Sequence, residues 1–576
     1  MAALTALVYV PVLDYGFLSF DDSHNLRSNL AYRGLGWPQL QWMFTTTRLG
    51  HYIPVTWLSF GLDYVLWGMD PFGYHLTNLV LHVLGAVLCF ELARRLLAHV
   101  GPLSPGALTG GAAATAFLFA VHPLRVESVA WLTERRDVLS GVLFFTTLLL
   151  YVRASEVPAP RARRLRLAAV ATYALALGAK ASVMTLPAVL LLLDVYPLRR
   201  LPPEVRTWTR PAAVAVLREK VPFLAVGGVG AVVAYLAQAR EVPLLGGGSI
   251  ASRAVHIAYS LWFYLIKTVV PIWLSPIYEA PAQIELADPR FAVAVVGTLV
   301  VTALVLALRH RWPGALAAWI YYGVMLAPVS GVVRNGPQLT ADRFSYLPCL
   351  GFALLVGGGL AVALDAAWRG RSRPARPWLA SAAVAAAILV LGILARGQTE
   401  IWRDSPSLWG HAARLDPGCL RCAQRLGIAL LAEGRLAAGL EDVQRALRLS
   451  PGAHDLRMVA AHVLFQLARW EEAATQYRQV LAHRPAQRDA QAFLAITMIR
   501  LGRPGEAIES LRDVIGRSPD LSFARRELIQ AYRALGRLDD ARAEYRTLLA
   551  LDAAAAAGLA PVDGARDDRR TAERMR

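Results

Sequence analysis

Lysine, paired cysteine motifs and nucleotide-binding loops are scarce or missing in this sequence. Only three lysines occur, Lys180, Lys220 and Lys267, so arginine carries nearly all of the positive charge. The four cysteines include one Cys-x-x-Cys pair, Cys419 and Cys422, with no second pair spaced to complete a four-ligand zinc site. The sequence also has no glycine-rich phosphate-binding loop, which argues against a soluble nucleotide donor.

The composition is too apolar for a soluble protein. Hydrophobic residues make up 56% of the 576 residues, and the formal net charge is +18. Soluble chains average about 45 to 50% apolar residues, so a disordered, fibrous or wholly soluble chain is excluded. Runs of about 18 or more apolar residues are long enough to cross a membrane. The runs predict about eleven spans, at residues 2–18, 74–97, 106–122, 137–152, 165–180, 182–197, 221–238, 290–308, 314–332, 345–366 and 378–395.

Basic residues in the connecting loops predict which side of the membrane each loop faces. Arginine and lysine in short loops are retained on the cytoplasmic side. Residues 256–275 either span or lie at the interface, because this apolar stretch carries Lys267 and Pro271. If they do not span and the N-terminus lies inside, the cytoplasmic loops hold more basic residues than the outside loops. The arginines then act as topology signals, which argues against the nucleic-acid partner that a pI of about 10.1 would otherwise allow.

The C-terminal part of the chain is a repeat. Proline, arginine and small residues each recur every 34 residues, at Pro417, Pro451, Pro485 and Pro519, at Arg435, Arg469, Arg503 and Arg537, and at Gly439, Ala473, Ala507 and Ala541. This period and these positions resemble the tetratricopeptide repeat. Stacked helical pairs of this kind form a superhelix whose groove binds a peptide or a partner protein.

These patterns predict an all-α chain in two parts. Residues 1–397 form a polytopic membrane helix bundle with a long first outside loop, 19–73. Residues 402–555 form a soluble α-solenoid, whose repeats run from about 420 to 555 after a lone helix at Ser405 to Asp416. Residues 556–576 are expected to be a disordered tail. With the N-terminus inside, the repeats lie on the extracytoplasmic side.

Two neighbouring acids, Asp21 and Asp22, open the first outside loop. Such a pair suits a general base for an acceptor hydroxyl, or ligands of a divalent cation that bridges a phosphate leaving group. It also suits the solvated start of a loop. His75 and Asn78, one helical turn apart at the end of this loop, share a face and either cap the bundle or meet a substrate.

The second outside loop is dense in ionisable residues, with the candidate site residues His122, Arg125, Glu127, Arg136 and Asp137. Such residues between two spans are costly unless they face water or a site. Arginine suits bidentate contact with a phosphate group, whereas an aspartate that opens a helix is also an ordinary N-cap. The loop therefore fits a substrate site and a structural cluster equally well.

Two further cations lie between later spans. Lys180 either snorkels or contacts an anionic lipid head group. Arg343, beside Asp342, either holds a phosphate or forms a structural ion pair.

The order of these motifs resembles the transmembrane and tetratricopeptide repeat-containing (TMTC) proteins and their bacterial relatives, which are GT-C superfamily glycosyltransferases. The resemblance implies an enzyme that uses a lipid-phosphate-sugar donor, in eukaryotes an O-mannosyltransferase. The resemblance also implies roles for individual positions: one acid of the pair Asp21 and Asp22 as general base, His122, Arg125 and Glu127 around the sugar and phosphate, and Lys180 and Arg343 on the donor phosphate. Two positions depart from the family, because Ala181 stands where relatives often carry an acid and His51 where arginine is more usual.

The resemblance therefore implies transfer of a mannose-like sugar from a polyprenyl-phosphate donor to a protein hydroxyl on the extracytoplasmic side. The arginine- and alanine-rich composition points to a bacterial source, hence to the inner membrane and an undecaprenyl carrier. The repeats would recruit the acceptor, and no cofactor beyond a possible divalent cation is implied. The alternative is a membrane-anchored tetratricopeptide scaffold for envelope assembly with an inactive transferase-like half.

Overall fold

The computed structural model describes residues 1–240, 249–281, 283–332, 338–370, 375–519, 521–557 and 559. It is almost entirely helical and divides into two compact units, Met1–Leu415 and Asp416–Arg576. The first unit therefore extends beyond residue 397 and includes the lone helix at Ser405–Leu415, which the repeat pattern had assigned to the array.

Helices make up most of the first unit. Its α-helices are α1 Ala2–Tyr9, α2 Trp37–Thr45, α3 Pro54–Trp67, α4 Pro71–Ala98, α5 Pro105–Ala120, α6 Val126–Ala130, α7 Arg135–Ser155, α8 Ala159–Ala179, α9 Leu186–Val195, α10 Pro211–Arg218, α11 Val221–Ala239, α12 Ile250–Val269, α13 Pro289–Ala307, α14 Pro313–Leu326, α15 Leu350–Trp368, α16 Ala375–Glu400 and α17 Ser405–Leu415. Two short strands, β1 Tyr278–Glu279 and β2 Gln338–Thr340, pair antiparallel with Tyr278 opposite Thr340.

Fewer helices can cross a membrane than the apolar runs predicted. Among the described residues, six are long and apolar enough by length and composition: Pro71–Ala98, Leu132–Ser155, Val221–Ala239, Pro289–Ala307, Leu350–Trp368 and Trp378–Glu400. The bent pair Pro105–Ala120 and Pro123–Ala130 makes a seventh if it is one span.

The prediction of about eleven spans counted apolar length without the breaks inside it. The runs at 2–18, 182–197 and 314–332 form the shorter helical stretches Ala2–Asp14, Ala181–Val195 and Pro313–Val329, each with a 3-10 turn. At a rise of about 1.5 Å per residue they fall short of a hydrocarbon core about 30 Å thick. The ambiguous segment 256–275 overlaps α12, which is not among the candidate spans.

The second unit is the expected array of antiparallel helix pairs. Its helices are α18 Leu420–Ala432, α19 Leu436–Leu449, α20 His454–Gln466, α21 Trp470–His483, α22 Arg488–Arg500, α23 Pro504–Arg517, α24 Ser522–Ala534, α25 Leu538–Leu551 and α26 Ala553–Ala557. Small residues are needed where the helices cross: a Cβ added to Gly427 would lie 3.0 Å from the carbonyl oxygen of Gly439. Nearly all of the predicted tail at 556–576 lies outside the described residues.

Three of the four recurrent prolines share one contact. The side chain six residues after each of these three donates a hydrogen bond to the proline carbonyl oxygen: Arg457 to Pro451 at 2.6 Å, Gln491 to Pro485 at 2.9 Å, and Arg525 to Pro519 at 3.3 Å. These bonds satisfy carbonyl groups that a helix cannot use where the chain turns from one repeat into the next.

The cysteines divide between the two units. Cys419 and Cys422 form a disulfide at the start of α18. Cys89 and Cys349 are free and buried in the first unit.

Candidate functional site

A buried arginine holds the loop between α5 and α7 against helix α4. Arg135 donates hydrogen bonds to the Asn78 side chain at 2.7 Å and to the Tyr74 carbonyl oxygen at 2.7 Å, and it forms an ion pair with Asp63. Thr77 donates to the other oxygen of Asp63 at 2.8 Å. A buried charge is tolerated when its hydrogen bonds are satisfied in this way. These contacts anchor the start of α7 to α3 and α4. Asp63 is the one charged residue in α3, and it could have indicated such a buried ion pair from the sequence.

A single carboxylate at the centre of the site contacts three cations. Glu134 accepts contacts at 3.2 Å from Arg136 Nε, from Lys180 Nζ and from Arg343 Nε. The Glu134 side chain is 0% exposed, whereas those of Arg136, Arg343 and Lys180 are 10%, 10% and 14% exposed. We call these three cations the cationic rim. A group that approaches the site meets the rim before it meets the acid beneath.

Two further acids support the rim from below. Glu127 accepts Arg343 Nη1 at 2.6 Å and the Arg343 backbone N–H at 2.7 Å. Asp137 pairs with Lys180 and accepts the Ser128 hydroxyl at 3.1 Å. Glu127 and Asp137, two of the predicted substrate-binding residues, are buried and form ion pairs with rim cations, so they hold those cations in position.

The two acids that open the first loop differ in their surroundings. Asp22 is buried and accepts three hydrogen bonds, from the Leu18 N–H at 3.1 Å, the Thr133 N–H at 3.0 Å and the Thr133 hydroxyl at 2.6 Å. It therefore ties the first outside loop to the second. Burial raises the pKa of Asp22 to about 6, although the hydrogen bonds from Thr133 and Leu18 act in the opposite direction.

Asp21 lies beside the rim and has no such partners. It is partly exposed, and within the described parts of the chain no hydrogen bond or ion pair engages its carboxylate. Burial lowers the pKa of Arg343, but the negative charges of Glu127, Glu134 and Asp21 outweigh that effect and raise it. Asp21 is thus a free carboxylate close to a cation of the rim.

The buried state of Asp22 predicts an unusual pH dependence of stability. Its pKa of about 6 in the folded protein exceeds the value of about 3.9 expected after unfolding, so between these values the folded protein binds more protons. The contribution of Asp22 to the free energy of unfolding is therefore lost as the pH rises from about 4 to about 6. We expect the stability of the wild type relative to Asp22→Asn to fall over that range and then to level off, as measured by thermal unfolding. A constant offset at every pH would contradict this.

His51 sits at the edge of the rim, where the family resemblance expects an arginine. Its imidazole is accessible to solvent although protein surrounds it on most sides. The loss of solvation caused by the surrounding protein is the main reason why the pKa of His51 is lowered to about 3, and the positive charge of Arg136 adds to this effect. His51 is therefore neutral near pH 7 and adds no fourth cation to the rim.

Arg125, one of the predicted substrate-binding residues, lies outside the rim. Its side chain is buried, with the guanidinium 5.5 Å from the ring centre of Phe119 and 5.6 Å from that of Tyr346. Its Nε and Nη1 atoms have no hydrogen-bond partner among the described residues. Arg125 therefore packs on aromatic rings inside the helix bundle.

The two predicted histidines are also enclosed by protein. His122 bonds the Thr268 carbonyl oxygen at 3.0 Å through Nε2 and accepts the Leu124 N–H at 3.2 Å through Nδ1, so both ring nitrogens are used. His75 is buried, with its ring edge-on to Tyr15.

Aromatic rings connect helix α17 to the site. The ring of Phe20, next to Asp21, stacks on Trp131 at 4.4 Å and meets Trp409 of α17 edge-on at 5.2 Å. Trp131 stacks in turn against Trp402 at 6.0 Å, and the Arg343 guanidinium lies 5.3 Å from the Trp131 ring centre. Helix α17 therefore packs against the loop that presents Asp21, a contact that the repeat pattern did not predict.

No metal-binding set is evident in this part of the molecule. Among the described residues, no group of three or more histidine, cysteine, aspartate or glutamate side chains is placed to hold a metal ion.

Comparison with known proteins finds tetratricopeptide repeat models and O-mannosyl-transferase relatives that match parts of this chain. Residues 458–522 and 498–560 match two models of the tetratricopeptide repeat. The chain is 37% identical over 161 residues to protein O-mannosyl-transferase Tmtc1 of Drosophila melanogaster, a match that covers 26% of this chain and 18% of that protein. It is 36% identical over 115 residues to protein O-mannosyl-transferase TMTC1 of Homo sapiens, which covers 20% of this chain and 12% of that protein. The resemblance to the TMTC family is therefore confirmed, although the chain spans less than a fifth of the length of these relatives.

Solved structures resemble only a quarter of the chain. MamA AMB-1 is 24% identical with a TM-score of 0.24, and the match covers 25% of this chain and 89% of that one. MamA from Desulfovibrio magneticus RS-1 is 18% identical with a TM-score of 0.25, and the match covers 28% of this chain and 88% of that one.

Proposed function

We propose that this chain, a multi-pass membrane protein that fits the TMTC family where its relatives match, is a glycosyltransferase. It moves a mannose-like sugar from a polyprenyl-phosphate donor to a hydroxyl group of a protein acceptor. The observation that carries the proposal is the cationic rim of Arg136, Lys180 and Arg343 with the free carboxylate of Asp21 beside it.

The rim suits the phosphate of a lipid-linked donor. A polyprenyl chain stays in the bilayer, so its phosphate must be bound where membrane helices end. Arg136 lies in the first turn of α7, which belongs to a candidate span, and Lys180 contacts the same carboxylate of Glu134 as Arg136 does. Arginine and lysine at such a place form charge-assisted hydrogen bonds with phosphate oxygens. The acids beneath hold the cations in fixed positions, which lowers the ordering cost of donor binding.

Asp21 suits the activation of the acceptor. As the acceptor hydroxyl attacks the anomeric carbon, its proton passes to the Asp21 carboxylate, and a new carbon–oxygen bond forms. The bond between the anomeric carbon and the phosphate oxygen breaks, and polyprenyl phosphate leaves with the electron pair. Direct displacement of this kind inverts the configuration at the anomeric carbon. The rim stabilises the charge that develops on the leaving phosphate.

The repeats would recruit the acceptor on the extracytoplasmic side of the bacterial inner membrane. The disulfide between Cys419 and Cys422 supports an extracytoplasmic placement of the repeats, because disulfides persist in oxidising compartments.

Donor turnover in proteoliposomes tests the proposal. We expect the purified chain to convert undecaprenyl-phosphate-mannose to undecaprenyl phosphate only when an acceptor polypeptide is present, as followed by mass spectrometry of extracted lipids. Lys180→Gln should raise the KM for the donor, because one rim cation is lost. Consumption of a nucleotide sugar with the lipid donor left intact would contradict the donor assignment.

A further inference from the structure

The repeat array contains a small surface cavity, open to solvent, between α19, α20 and α21. Its volume is about 310 Å³, and it is lined by Gln444, Leu447, Arg448, Arg457 and Gln476. Two of these five side chains are cations, two are amides and none is an acid. The site described above lies in the first unit, so this cavity is a separate feature.

The charge of Arg457 is held by neutral groups only. Its guanidinium donates to the amide oxygen of Gln476 at 3.0 Å, to that of Gln479, and to the Pro451 carbonyl oxygen at 2.6 Å. The other cation, Arg448, is exposed, and no hydrogen bond or ion pair engages it within the ranges that the structure describes. Two positive charges therefore face the cavity without a carboxylate.

Acids near the cavity are already paired elsewhere. Asp442 forms an ion pair with Arg445, and Asp455 pairs with Arg484 at 2.6 Å. Neither acid therefore neutralises the cavity directly.

The residues of this cavity differ from the residues at the equivalent positions of the other repeats. Two repeats later, Arg525 occupies the position of Arg457 and forms an ion pair with Glu544, which occupies the position of Gln476. In the cavity a glutamine thus replaces the acid that completes the same pair in the fourth repeat. The positions equivalent to Arg448 are Ala482, Gly516 and Ala550, so the second cation is also particular to this place.

We propose that this cavity binds a carboxylate side chain of an acidic polypeptide segment. A guanidinium recognises a carboxylate through two parallel hydrogen bonds, and Arg448 and Arg457 supply two such groups. Leu447 offers an apolar wall for the methylene groups of a glutamate, and the amides of Gln444 and Gln476 can pair with the adjacent peptide groups. Inorganic phosphate lacks both the methylenes and the peptide groups, so a polypeptide fits the whole lining better.

The test measures binding of a fluorescein-labelled hexaglutamate peptide to the full chain in nanodiscs by fluorescence anisotropy. We expect the wild type to bind this peptide and not hexaglutamine. Gln476→Glu introduces the acid that stands at the equivalent position of the fourth repeat, Glu544. The new carboxylate should pair with Arg457 and weaken peptide binding about tenfold or more. Arg457→Gln should weaken it to a similar extent. No donor lipid is present, so the result is independent of any transferase activity.

Matched variants separate this site from a general attraction of the basic array for acids. Arg517→Gln removes an exposed cation that pairs with Asp513 at 2.9 Å, and it should leave the affinity within about twofold of the wild type. Thermal unfolding establishes that Gln476→Glu keeps the array folded. Equal affinity of the wild type and folded Gln476→Glu would overturn the proposal. Equal binding of hexaglutamate and hexaglutamine would overturn it as well.

Discussion

Replacing Asp21 with asparagine is expected to lower the rate of sugar transfer about a thousandfold, because asparagine cannot accept the proton of the acceptor hydroxyl. No hydrogen bond or ion pair of Asp21 is found within the described chain, so the substitution should leave the fold and the thermal stability nearly unchanged. The measurement is kcat with saturating donor and acceptor, together with the KM for the donor. We expect the substitution to lower kcat rather than to change the KM for the donor.

Asp22→Asn is the matched control because the same chemical change is made one residue away. Both oxygens of the Asp22 carboxyl accept hydrogen bonds, one from Leu18 and one from Thr133, whereas the NH2 group of asparagine cannot accept either of them. We therefore expect a lower unfolding temperature near pH 5, with any loss of activity following the loss of folded protein. A folded Asp22→Asn with no activity, beside an active Asp21→Asn, would assign the base to Asp22 instead.

Replacing Glu134 with glutamine is expected to have the second large effect. This acid contacts Arg136, Lys180 and Arg343 from a fully buried position. Breaking a buried ion pair by removing one partner costs about 3 to 5 kcal/mol, and here three cations lose a shared partner. We expect the free energy of unfolding to drop by about that amount. The KM for the donor should also rise, because the rim cations are no longer held in place.

Glu127→Gln is the matched control for this prediction. Glu127 contacts one rim cation, Arg343, so its loss should reduce stability less than the loss of Glu134. Thermal unfolding and donor KM should be measured for both variants under the same conditions. If Glu134→Gln is no more destabilising than Glu127→Gln, then Glu134 does not organise the three cations.

The sequence predicts the repeat array well because its signal is local and recurrent. Each repeat places proline at the same turn, and the structure shows the same carbonyl contact at Pro451, Pro485 and Pro519. The number of spans was harder to predict, because apolar length does not reveal where a helix breaks. The run at 182–197, for example, divides into a 3-10 turn and the helix Leu186–Val195.

The candidate site was predicted only in part, for two physical reasons. Adjacent acids such as Asp21 and Asp22 look equivalent in sequence, and only the fold shows that one is buried and the other is free. The central role of Glu134 depends on Lys180 and Arg343, which are distant along the chain. No local pattern marks Glu134 among the other acids of its loop.

The most direct test of the account is whether the purified chain attaches a hexose to an acceptor polypeptide from undecaprenyl-phosphate-mannose in proteoliposomes. Intact-mass spectrometry of the acceptor measures this. The account predicts a hexose-sized mass increase with the wild type and none within the same time with Asp21→Asn. An acceptor left unmodified by a folded wild-type protein that still captures it would contradict the transferase assignment, and would favour a membrane-anchored scaffold.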